Sequence, residues 1–371
     1  MAKQIKIAVD IRDLRIAKTG AKTYLEEICR EFKKTPPGFR FLFIDTVIPV
    51  YRGNNKFLKL IEHIRFFWWK QLQLPLICFF RGCDVLYCTD YFLPYLKLNF
   101  KTVVVFHDAF FWEYPLHYNK IWLFLFQQIA VRAALKADAI VTTTAYSKKQ
   151  ILQFADFQPD KMIPIYLAPK SIAPHLPAQS TALGFPGKYI LHVGVMEKRK
   201  NLLNLIRAFD LLLKEGYEDY YLVLAGSRVF KSKLDDAENI HSLIAELGLH
   251  EKVRLPGFIS DEELALYYTN ASLYAFVSVN EGFGIPVLEA FQHQLPTLVA
   301  NNSSLPEVGG NAVITCDPFD YHDIKEKMKH ILSDHSLQKE LISNGNKRLE
   351  LFSWQKTAEH HLAVFKKVLA E

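Results

Sequence analysis

Cysteine is scarce in this 371-residue sequence, and none of the five cysteines belongs to a CxxC pair. The odd number argues against a disulfide framework, and without a histidine cluster Cys83 and Cys88 are expected to be core residues rather than metal ligands. No stretch reaches the roughly 18 uninterrupted apolar residues of a membrane-spanning helix. The start, MAKQIKIAVD, enters a strand pattern without a signal-peptide pattern. We therefore expect a globular protein of the reducing cytoplasm.

The usual nucleotide-binding fingerprints are also missing. No GxGxxG follows the first predicted strand, Ile5–Asp10, and no GxxxxGK[ST] occurs, which disfavours NAD-dependent oxidoreductases and P-loop kinases. The net charge of +6 is concentrated in residues 1–187, with 25 Lys and Arg against 14 Asp and Glu, whereas residues 188–371 have 20 against 25. This asymmetry suggests that the first half faces an anionic surface. Because no nucleic-acid-binding pattern accompanies the charge, nucleic acid is not expected as a partner.

Apolar strand patterns alternate with helical periodicity over two stretches, which a proline-rich segment separates. This alternation predicts an α/β fold with two Rossmann-like domains, whose parallel sheets face a central cleft at the carboxyl ends of the strands. The predicted boundaries are 1–170, a linker at 171–187, and 188–353, followed by a helix within 354–371. The predicted strands are Ile5–Asp10, Phe41–Thr46, Asp84–Cys88, Thr102–Phe106, Ala139–Thr142, Tyr189–Val193, Tyr221–Ala225, Val253–Leu255, Leu273–Val277 and Thr297–Ala300.

The run SVNEGFGIPVLEAF indicates a strand, a glycine loop and the first turns of a helix. Glu281 stands at the end of the strand and Glu289 lies just over one turn beyond Pro286. Backbone N–H groups at such a helix start favour phosphate, whereas the carboxylates suit the hydroxyls of a sugar or ribose. The alternative is a solvated glutamate on each side of an ordinary turn.

A second loop of the same predicted sheet is basic. In HVGVMEKRKNLLNLIRAF, Gly194 closes the strand, and Arg199 and Lys200 precede a helix. Cations beside free backbone N–H groups form a candidate diphosphate site, and a solvated basic loop is the alternative. Both loops could open on one cleft, which favours the functional interpretation.

Five blocks in order resemble the retaining nucleotide-sugar glycosyltransferases of family 4 (glycosyl transferases group 1, mannosyltransferase-like), which have the GT-B fold. They are HVGVMEKRKNLLNLIRAF, LPGFISDEELALYY, NEGFGIPVLEAF, NNSSLPEVGGNAV and FSWQKTAEHHLAVF. The resemblance spans nearly the whole chain and is strongest from Tyr189 onward. It implies an acceptor-binding N-terminal domain, a donor-binding C-terminal domain, and a last helix that crosses back to the N-terminal domain.

The resemblance also implies roles for individual residues. Lys200, helped by Arg199, would hold the donor diphosphate, Glu289 the ribose hydroxyls, and Glu281 the donor sugar. The strand-end His-Asp of VVVFHDAFFWEYP would place His107 beside the reacting centre, so the implied catalytic residues are His107, Glu281 and Lys200. The remaining implied donor-site residues are Gly20, Gly257, Phe258, Ile259, Gly282, Phe283 and Gly284.

Two positions depart from the family pattern. Val195 stands where many relatives carry an arginine, which would shift diphosphate neutralisation to Lys200 and Arg199. The family's TGIGRY loop is TGAKTY here, so Gly20 is retained and Lys22 replaces the second glycine. Lys22 would either obstruct close backbone approach or contact phosphate.

The implied reaction moves a hexose from a GDP-, UDP- or dTDP-linked donor to a hydroxyl of a glycan or lipid-linked glycan, with the anomeric configuration retained. The leaving phosphate itself would act as base, and neither a cofactor nor an essential metal is expected. The product would serve cell-surface polysaccharide synthesis, such as that of lipopolysaccharide, and the EKRKNL-like turn favours a mannosyl-type enzyme. The alternatives are a non-hydrolysing sugar-nucleotide 2-epimerase and an inactive nucleotide-sugar-binding subunit.

Within residues 51–80, the run YRGNNKFLKLIEHIRFFWWKQ (51–71) interleaves basic and aromatic side chains. This pattern suits an interfacial helix at an anionic membrane. It equally suits a core helix whose aromatics pack under the sheet. The first alternative would make the protein peripheral to the inner face of the membrane and its acceptor lipid-linked.

Overall fold

The computed structural model describes residues 4–17, 19–34, 36–51, 53, 55–170, 187–228 and 233–371. The chain divides into two compact units, Met1–Leu167 with Trp354–Glu371, and Ala168–Ser353. Each unit contains a six-stranded parallel sheet, which confirms the predicted α/β class. The predicted linker, 171–187, lies outside the described residues except for Gly187.

The first unit is built on the strand order β2-β1-β3-β4-β5-β6. The sequence order reverses between β1 and β3, and the carboxyl ends flanking such a switch point are where open α/β sheets bind ligands. The central strands are mainly apolar, with the sequences VLYC, KTVVVF and AIVT, and they are buried on both faces. The strands are β1 (Ile5–Asp10), β2 (Phe39–Ile44), β3 (Val85–Cys88), β4 (Lys101–Phe106), β5 (Ala139–Thr142) and β6 (Met162–Pro164).

Among the described residues of the first unit, seven helices precede its last strand. α2 runs through the π-helical segment Trp69–Gln73 into α3, and α5 runs through Phe126–Val131 into α6. The helices are α1 (Thr19–Lys33), α2 (Lys56–Trp68), α3 (Leu74–Phe80), α4 (Phe110–Glu113), α5 (Lys120–Leu125), α6 (Arg132–Ala134) and α7 (Ala145–Ile151). Short 3-10 turns cover Arg12–Arg15 and Pro115–His117.

The second unit has the strand order β12-β11-β10-β7-β8-β9, so its switch point lies between β7 and β10. Its strands are β7 (Lys188–Val193), β8 (Tyr220–Ala225), β9 (Val253–Gly257), β10 (Leu273–Phe276), β11 (Thr297–Ala300) and β12 (Ile314–Cys316). Its helices are α8 (Leu202–Leu213), α9 (Ala237–Glu246), α10 (Asp261–Asn270), α11 (Ile285–Gln292), α12 (Leu305–Gly309), α13 (Tyr321–Ser333) and α14 (His335–Leu349). Further 3-10 turns cover Lys198–Lys200 and Gly310–Ala312.

The last helix, α15 (Trp354–Ala370), belongs to the first unit and packs against α1, as expected. His361 is its anchor, because the ring is fully buried and its Nδ1 donates to the Thr357 carbonyl at 2.7 Å. Nε2 must then accept from the Tyr24 hydroxyl, 2.9 Å away, and the Tyr24 hydroxyl contacts that of Tyr87. The network satisfies polar groups that would be costly to bury alone.

Candidate active site

The loops that follow β7 and β10 lie side by side, because these two strands pair at the switch point of the second sheet. The Val279 N–H donates to the Arg199 carbonyl at 2.8 Å. Asn201, with a left-handed φ of 58°, precedes α8 and its Nδ2 donates to the Val277 carbonyl at 3.2 Å. The local geometry therefore fixes the basic turn against the loop that begins at Glu281.

Three of the residues expected to hold the donor meet at this point. Lys200 Nζ lies 2.6 Å from Glu281 Oε1, and Arg199 Nη1 lies 2.9 Å from Glu281 Oε2. Arg199 Nε also contacts Glu197 Oε2 at 2.8 Å. Lys200 is 6% exposed and Glu281 8% exposed. One carboxylate thus compensates two cations in a largely buried position.

Two opposing effects, burial and the neighbouring charges, set the pKa values of the side chains in this cluster. Burial acts to raise the pKa of Glu281, but Arg199 and Lys200 outweigh it and hold that pKa at about 2. Burial lowers the pKa of Lys200, and Glu281 opposes the shift. Glu281 therefore stays ionised at neutral pH and cannot serve there as a proton donor.

A close backbone approach supports the basic turn. A Cβ added to Gly226, which follows β8 with φ +158°, would lie 1.8 Å from the Gly194 carbonyl oxygen. Only glycine leaves room for this contact. Gly194 in turn lies beside Lys200, whose Cε would be 3.3 Å from a Cβ at that position. The loops after β7 and β8 are therefore packed backbone to backbone next to the Lys200 side chain.

The glycine loop after β10 is held by Ser304, whose Oγ lies 2.8 Å from the Glu281 carbonyl and 2.9 Å from that of Phe283. Gly284 has φ +104° and is the N-cap of α11, and a Cβ there would meet Leu305 Cδ2 at 2.8 Å. The Phe283 ring is buried and contacts Phe352, with 6.1 Å between centroids. Of Phe283, only the backbone can therefore be part of a ligand site.

Glu289 lies in α11, and its side chain is also largely buried. Its Oε2 accepts a hydrogen bond from the Tyr268 hydroxyl at 3.0 Å. Burial raises the pKa of Glu289 to about 7, although the Tyr268 hydrogen bond opposes the shift. The two glutamates of the same helix-and-loop element thus differ in protonation, since Glu281 is in direct ion pairs with Arg199 and Lys200, whereas for Glu289 the effect of burial prevails.

The expected base-binding loop lies at the end of β9, which is two strands away from β7 in the sheet. It consists of Gly257, the last residue of β9, Phe258 and Ile259. Gly257 has φ +77°, a value that favours glycine. The Phe258 side chain is 84% exposed. The next residue, Ser260, begins α10 with a capping box to Glu263, which fixes where this loop ends.

His107 follows β4 in the first unit. Its Nε2 lies 2.9 Å from the Thr89 carbonyl oxygen, and because a carbonyl only accepts, Nε2 carries the proton and Nδ1 is the acceptor of the neutral ring. Burial lowers the pKa of His107, with Asp108 opposing, so the neutral form prevails at pH 7. The Tyr24 ring packs edge-on against it at 5.2 Å.

Gly20 lies in the first turn of α1, two residues before Lys22. Lys22 Nζ is 3.5 Å from Glu26 Oε1, one turn further along the helix, and about half of its side chain is exposed. Lys22 therefore has an ion-pair partner on its own helix.

Sequence reasoning missed a buried charge network at the switch point of the first sheet. Lys70 is 1% exposed, and its Nζ lies 2.6 Å from Asp10 Oδ2 and 2.5 Å from Asp90 Oδ1. Asp10, Cys88 and Asp90 have the mutual spacing of a metal site. The Lys70 ammonium, however, already supplies positive charge to both carboxylates. The only sequence signal was a lysine among aromatics.

Comparison with known proteins agrees with this architecture. Residues 179–348 match the family described as Glycosyl transferases group 1. O-antigen chain mannosyltransferase B of Escherichia coli is 29% identical over 285 residues, which are 75% of this chain and 72% of that protein. Serotype-specific mannosyltransferase WbdA of Escherichia coli is 30% identical over 303 residues, 78% of this chain but 36% of WbdA. The structure of HepE from Anabaena in complex with UDP-glucose is similar with a TM-score of 0.73 and 17% identity, over 99% of this chain and 100% of that one.

The architecture is the GT-B fold, which solved structures of glycosyltransferases share with this chain. Residues 179–348 are thus similar to the glycosyl transferases group 1 family, and the relatives of the chain include mannosyltransferases, as the resemblance of its sequence indicated.

Proposed function

We propose that this glycosyltransferase moves mannose from a nucleoside-diphosphate donor to a hydroxyl of a glycan or lipid-linked glycan in cell-surface polysaccharide synthesis. The observation that carries the proposal is the cluster of Lys200, Arg199 and Glu281 at the switch point of the second sheet. Mannose is favoured because both E. coli relatives are named as mannosyltransferases. The polysaccharide role rests on the O-antigen relative alone.

Lys200 and Arg199 bind the donor diphosphate in this proposal. They are preorganised cations in a site that is largely out of water, where charge developing on a leaving diphosphate is stabilised strongly. As the phosphates engage both cations, Glu281 is freed from part of its charge pairing and can accept hydrogen bonds from the hydroxyls of the donor sugar. No essential metal is needed for this neutralisation.

Glu289 takes the ribose hydroxyls, and Tyr268 orients its carboxylate. The backbone N–H groups of Gly282, Phe283 and Gly284, at the start of α11, bind sugar or phosphate oxygens of the donor. The nucleotide base lies along Gly257, Phe258 and Ile259. His107 contributes Nδ1 as an acceptor for a sugar hydroxyl, and Gly20 allows close approach at the start of α1. The leaving phosphate accepts the proton of the acceptor hydroxyl.

The epimerase alternative fits these groups less well. A 2-epimerase needs carboxylates that give and take protons near neutral pH. The pKa of Glu281 is about 2, and Asp108 Oδ1 accepts from the Tyr91 hydroxyl at 2.9 Å and from the Phe110 N–H at 3.0 Å. Both are therefore held as carboxylate acceptors, which favours sugar binding over proton transfer.

Incubation with a panel of GDP-, UDP- and dTDP-sugars and a mannan-type acceptor tests the proposal. We expect free nucleoside diphosphate and transferred mannose with one donor, with the anomeric configuration retained. An epimerised donor, or binding of every donor without any turnover, would contradict it. The panel also identifies the nucleotide base of the donor.

We further propose that α2 contacts an anionic membrane. None of its residues is buried, whereas Trp69, Leu74 and Cys78 of the next segment are. Its exposed apolar side chains recur at helical spacing, and Lys56 and Lys59 accompany them. They are Phe57, Leu60, Ile64 and Trp68. Such a helix suits the interface of an anionic bilayer.

No helix among the described ranges is both long and apolar enough to cross a bilayer. Flotation with anionic and neutral vesicles tests the surface contact. We expect binding to anionic vesicles that Leu60→Ser together with Ile64→Ser abolishes. Absence of wild-type binding to anionic vesicles would reject the contact.

A further inference from the structure

A cavity of about 990 Å³ lies in the first unit, and none of the residues assigned to the donor lines it. It lies between the carboxyl end of β2 and the continuous helical segment from α2 to α3. Its walls are mainly apolar, with Ile48, Trp68, Trp69, Leu76, Ile77 and Phe80 among them. The volume is at the upper end of the range for ligand pockets, and the lining matches their usual apolar character.

The mouth of the cavity is apolar as well. Val47 is 95% exposed, Phe80 79% and Ile48 60%, and all three line the cavity. Single exposed apolar side chains are ordinary, but a contiguous group around an apolar cavity marks an interaction site. A wholly polar ligand gains little from such a rim. A chain that arrives from a bilayer can pass it without being hydrated.

The charges of the lining favour an anion. Asp45 pairs with Arg15 at 2.7 Å, and Glu62 pairs with Arg12 at 2.5 Å and with Arg65 at 2.8 Å. The acidic groups of the wall are thus compensated. Arg81, which follows α3, is exposed, and its guanidinium forms no hydrogen bond or ion pair within the part of the chain that the structure describes.

We propose that this cavity binds the hydrocarbon chain of a lipid phosphate, with the phosphate at Arg81. The chain fills the space between β2 and α3, and each buried methylene strengthens binding about fourfold. That this lipid is the lipid end of the acceptor rests on the function proposed above. Binding of the chain itself does not depend on sugar transfer.

Titration of the full chain with n-dodecyl phosphate below its micelle concentration tests the site. Calorimetry gives the affinity, and tryptophan fluorescence reports the location because Trp68 and Trp69 line the cavity. We expect saturable binding of one molecule. Hexyl phosphate, with six methylenes fewer, should bind at least about a hundredfold more weakly, and inorganic phosphate should not bind detectably.

Two neighbouring phenylalanines of α3 provide a matched pair. Phe80 lines the cavity, whereas Phe79, 44% exposed, does not. We expect Phe80→Ala to weaken dodecyl phosphate binding about tenfold or more, and Phe79→Ala to leave it unchanged. Arg81→Gln should also weaken it about tenfold while retaining the preference for the longer chain. Thermal melting of each variant checks that it is folded.

Three results would overturn the site: no saturable binding of dodecyl phosphate, equal losses for the Phe79 and Phe80 variants, or inorganic phosphate bound as tightly as dodecyl phosphate. Failure here leaves the sugar-nucleotide panel unaffected. Conversely, a protein that binds dodecyl phosphate but turns over no donor would retain the lipid site and lose the proposed function.

Discussion

Glu281 holds two cations at once, with Oε1 2.6 Å from Lys200 Nζ and Oε2 2.9 Å from Arg199 Nη1. The Glu281 carboxylate is thus a counter-ion to two cations of the protein itself. The sequence alone had suggested only that it binds a sugar. A buried cation without its partner is costly. Glu281 therefore keeps both cations in place, and in the proposed function the donor diphosphate supplies replacement charge.

Replacing this counter-ion should destabilise the protein in a way that a diphosphate repairs. We expect Glu281→Gln to lower the free energy of unfolding by about 3 kcal/mol, because Lys200 is left buried and unpaired. Nucleoside diphosphate should raise the melting temperature more in this variant than in the wild type. Glu197→Gln, which removes a partner of Arg199 alone, is the control and should show a smaller loss. If nucleoside diphosphate raised the melting temperature equally in the wild type, Glu281→Gln and Glu197→Gln, Glu281 would not act as a counter-ion.

Glu289 should make stability depend on pH. Burial raises its pKa from 4.5 to about 7, so the folded state binds the proton more tightly than the unfolded state between these values. Stability contributed by this group is therefore lost as the pH rises through that window. Relative to Glu289→Gln, the wild type should lose roughly 2–4 kcal/mol of unfolding free energy. Chemical denaturation at pH 4.5 and pH 8 measures the difference, and parallel pH curves would disprove it.

Gly226 should be intolerant of a side chain because of its contact with Gly194. We expect Gly226→Ala to lower the unfolding free energy by about 3 kcal/mol and to impair donor binding, since the loop beside Lys200 must shift. Gly216→Ala is the matched control, with φ +93° and no atom within 4 Å of its added Cβ. It should show only backbone strain of about 1–2 kcal/mol. If Gly226→Ala and Gly216→Ala lost similar amounts of stability and donor binding, the contact between Gly226 and Gly194 would not be the cause.

The orientation of His107 predicts an order of activities for its variants. Because Nε2 donates to Thr89, the acceptor offered to a ligand is Nδ1. His107→Ala should slow transfer about a hundredfold. His107→Asn, whose carbonyl can take the Nδ1 position, should be slowed less than His107→Gln, whose amide reaches the Nε2 position. Steady-state kinetics with a saturating donor give the order, and the reverse order would contradict this tautomer.

Most strands could be predicted because buried parallel strands are short apolar runs between turn residues. Ile5–Asp10, Ala139–Thr142 and Thr297–Ala300 have the predicted bounds. The strands missed are β6 and β12, each three residues long and at the edge of a sheet, where too few residues are present to form a pattern. No helix was predicted between Thr297–Ala300 and the last helix, so α12, α13 and α14 were missed as well. In α14 only Leu341 and Gly345 are buried, so its apolar periodicity is faint.

The sequence predicted that the loops after β7 and β10 belong to one sheet. It did not predict which side chains of these loops contact each other. Lys200 and Glu281 are 81 residues apart and meet because β7 pairs with β10, which no local pattern specifies. The same holds for Lys70, whose partners are Asp10 at the end of β1 and Asp90 in the loop after β3. A lysine in an aromatic segment gives no sign of burial, since its compensating charges are distant in sequence.

The most direct test of the central claim compares two lysines of one turn. Lys200 is buried against Glu281, and Lys198 of the same 3-10 turn is exposed. Release of nucleoside diphosphate from the active sugar donor is measured for wild type, Lys200→Ala and Lys198→Ala. The account predicts a loss of at least about a hundredfold for Lys200→Ala and activity close to wild type for Lys198→Ala. Full activity of Lys200→Ala, or equal losses in both variants, would contradict it.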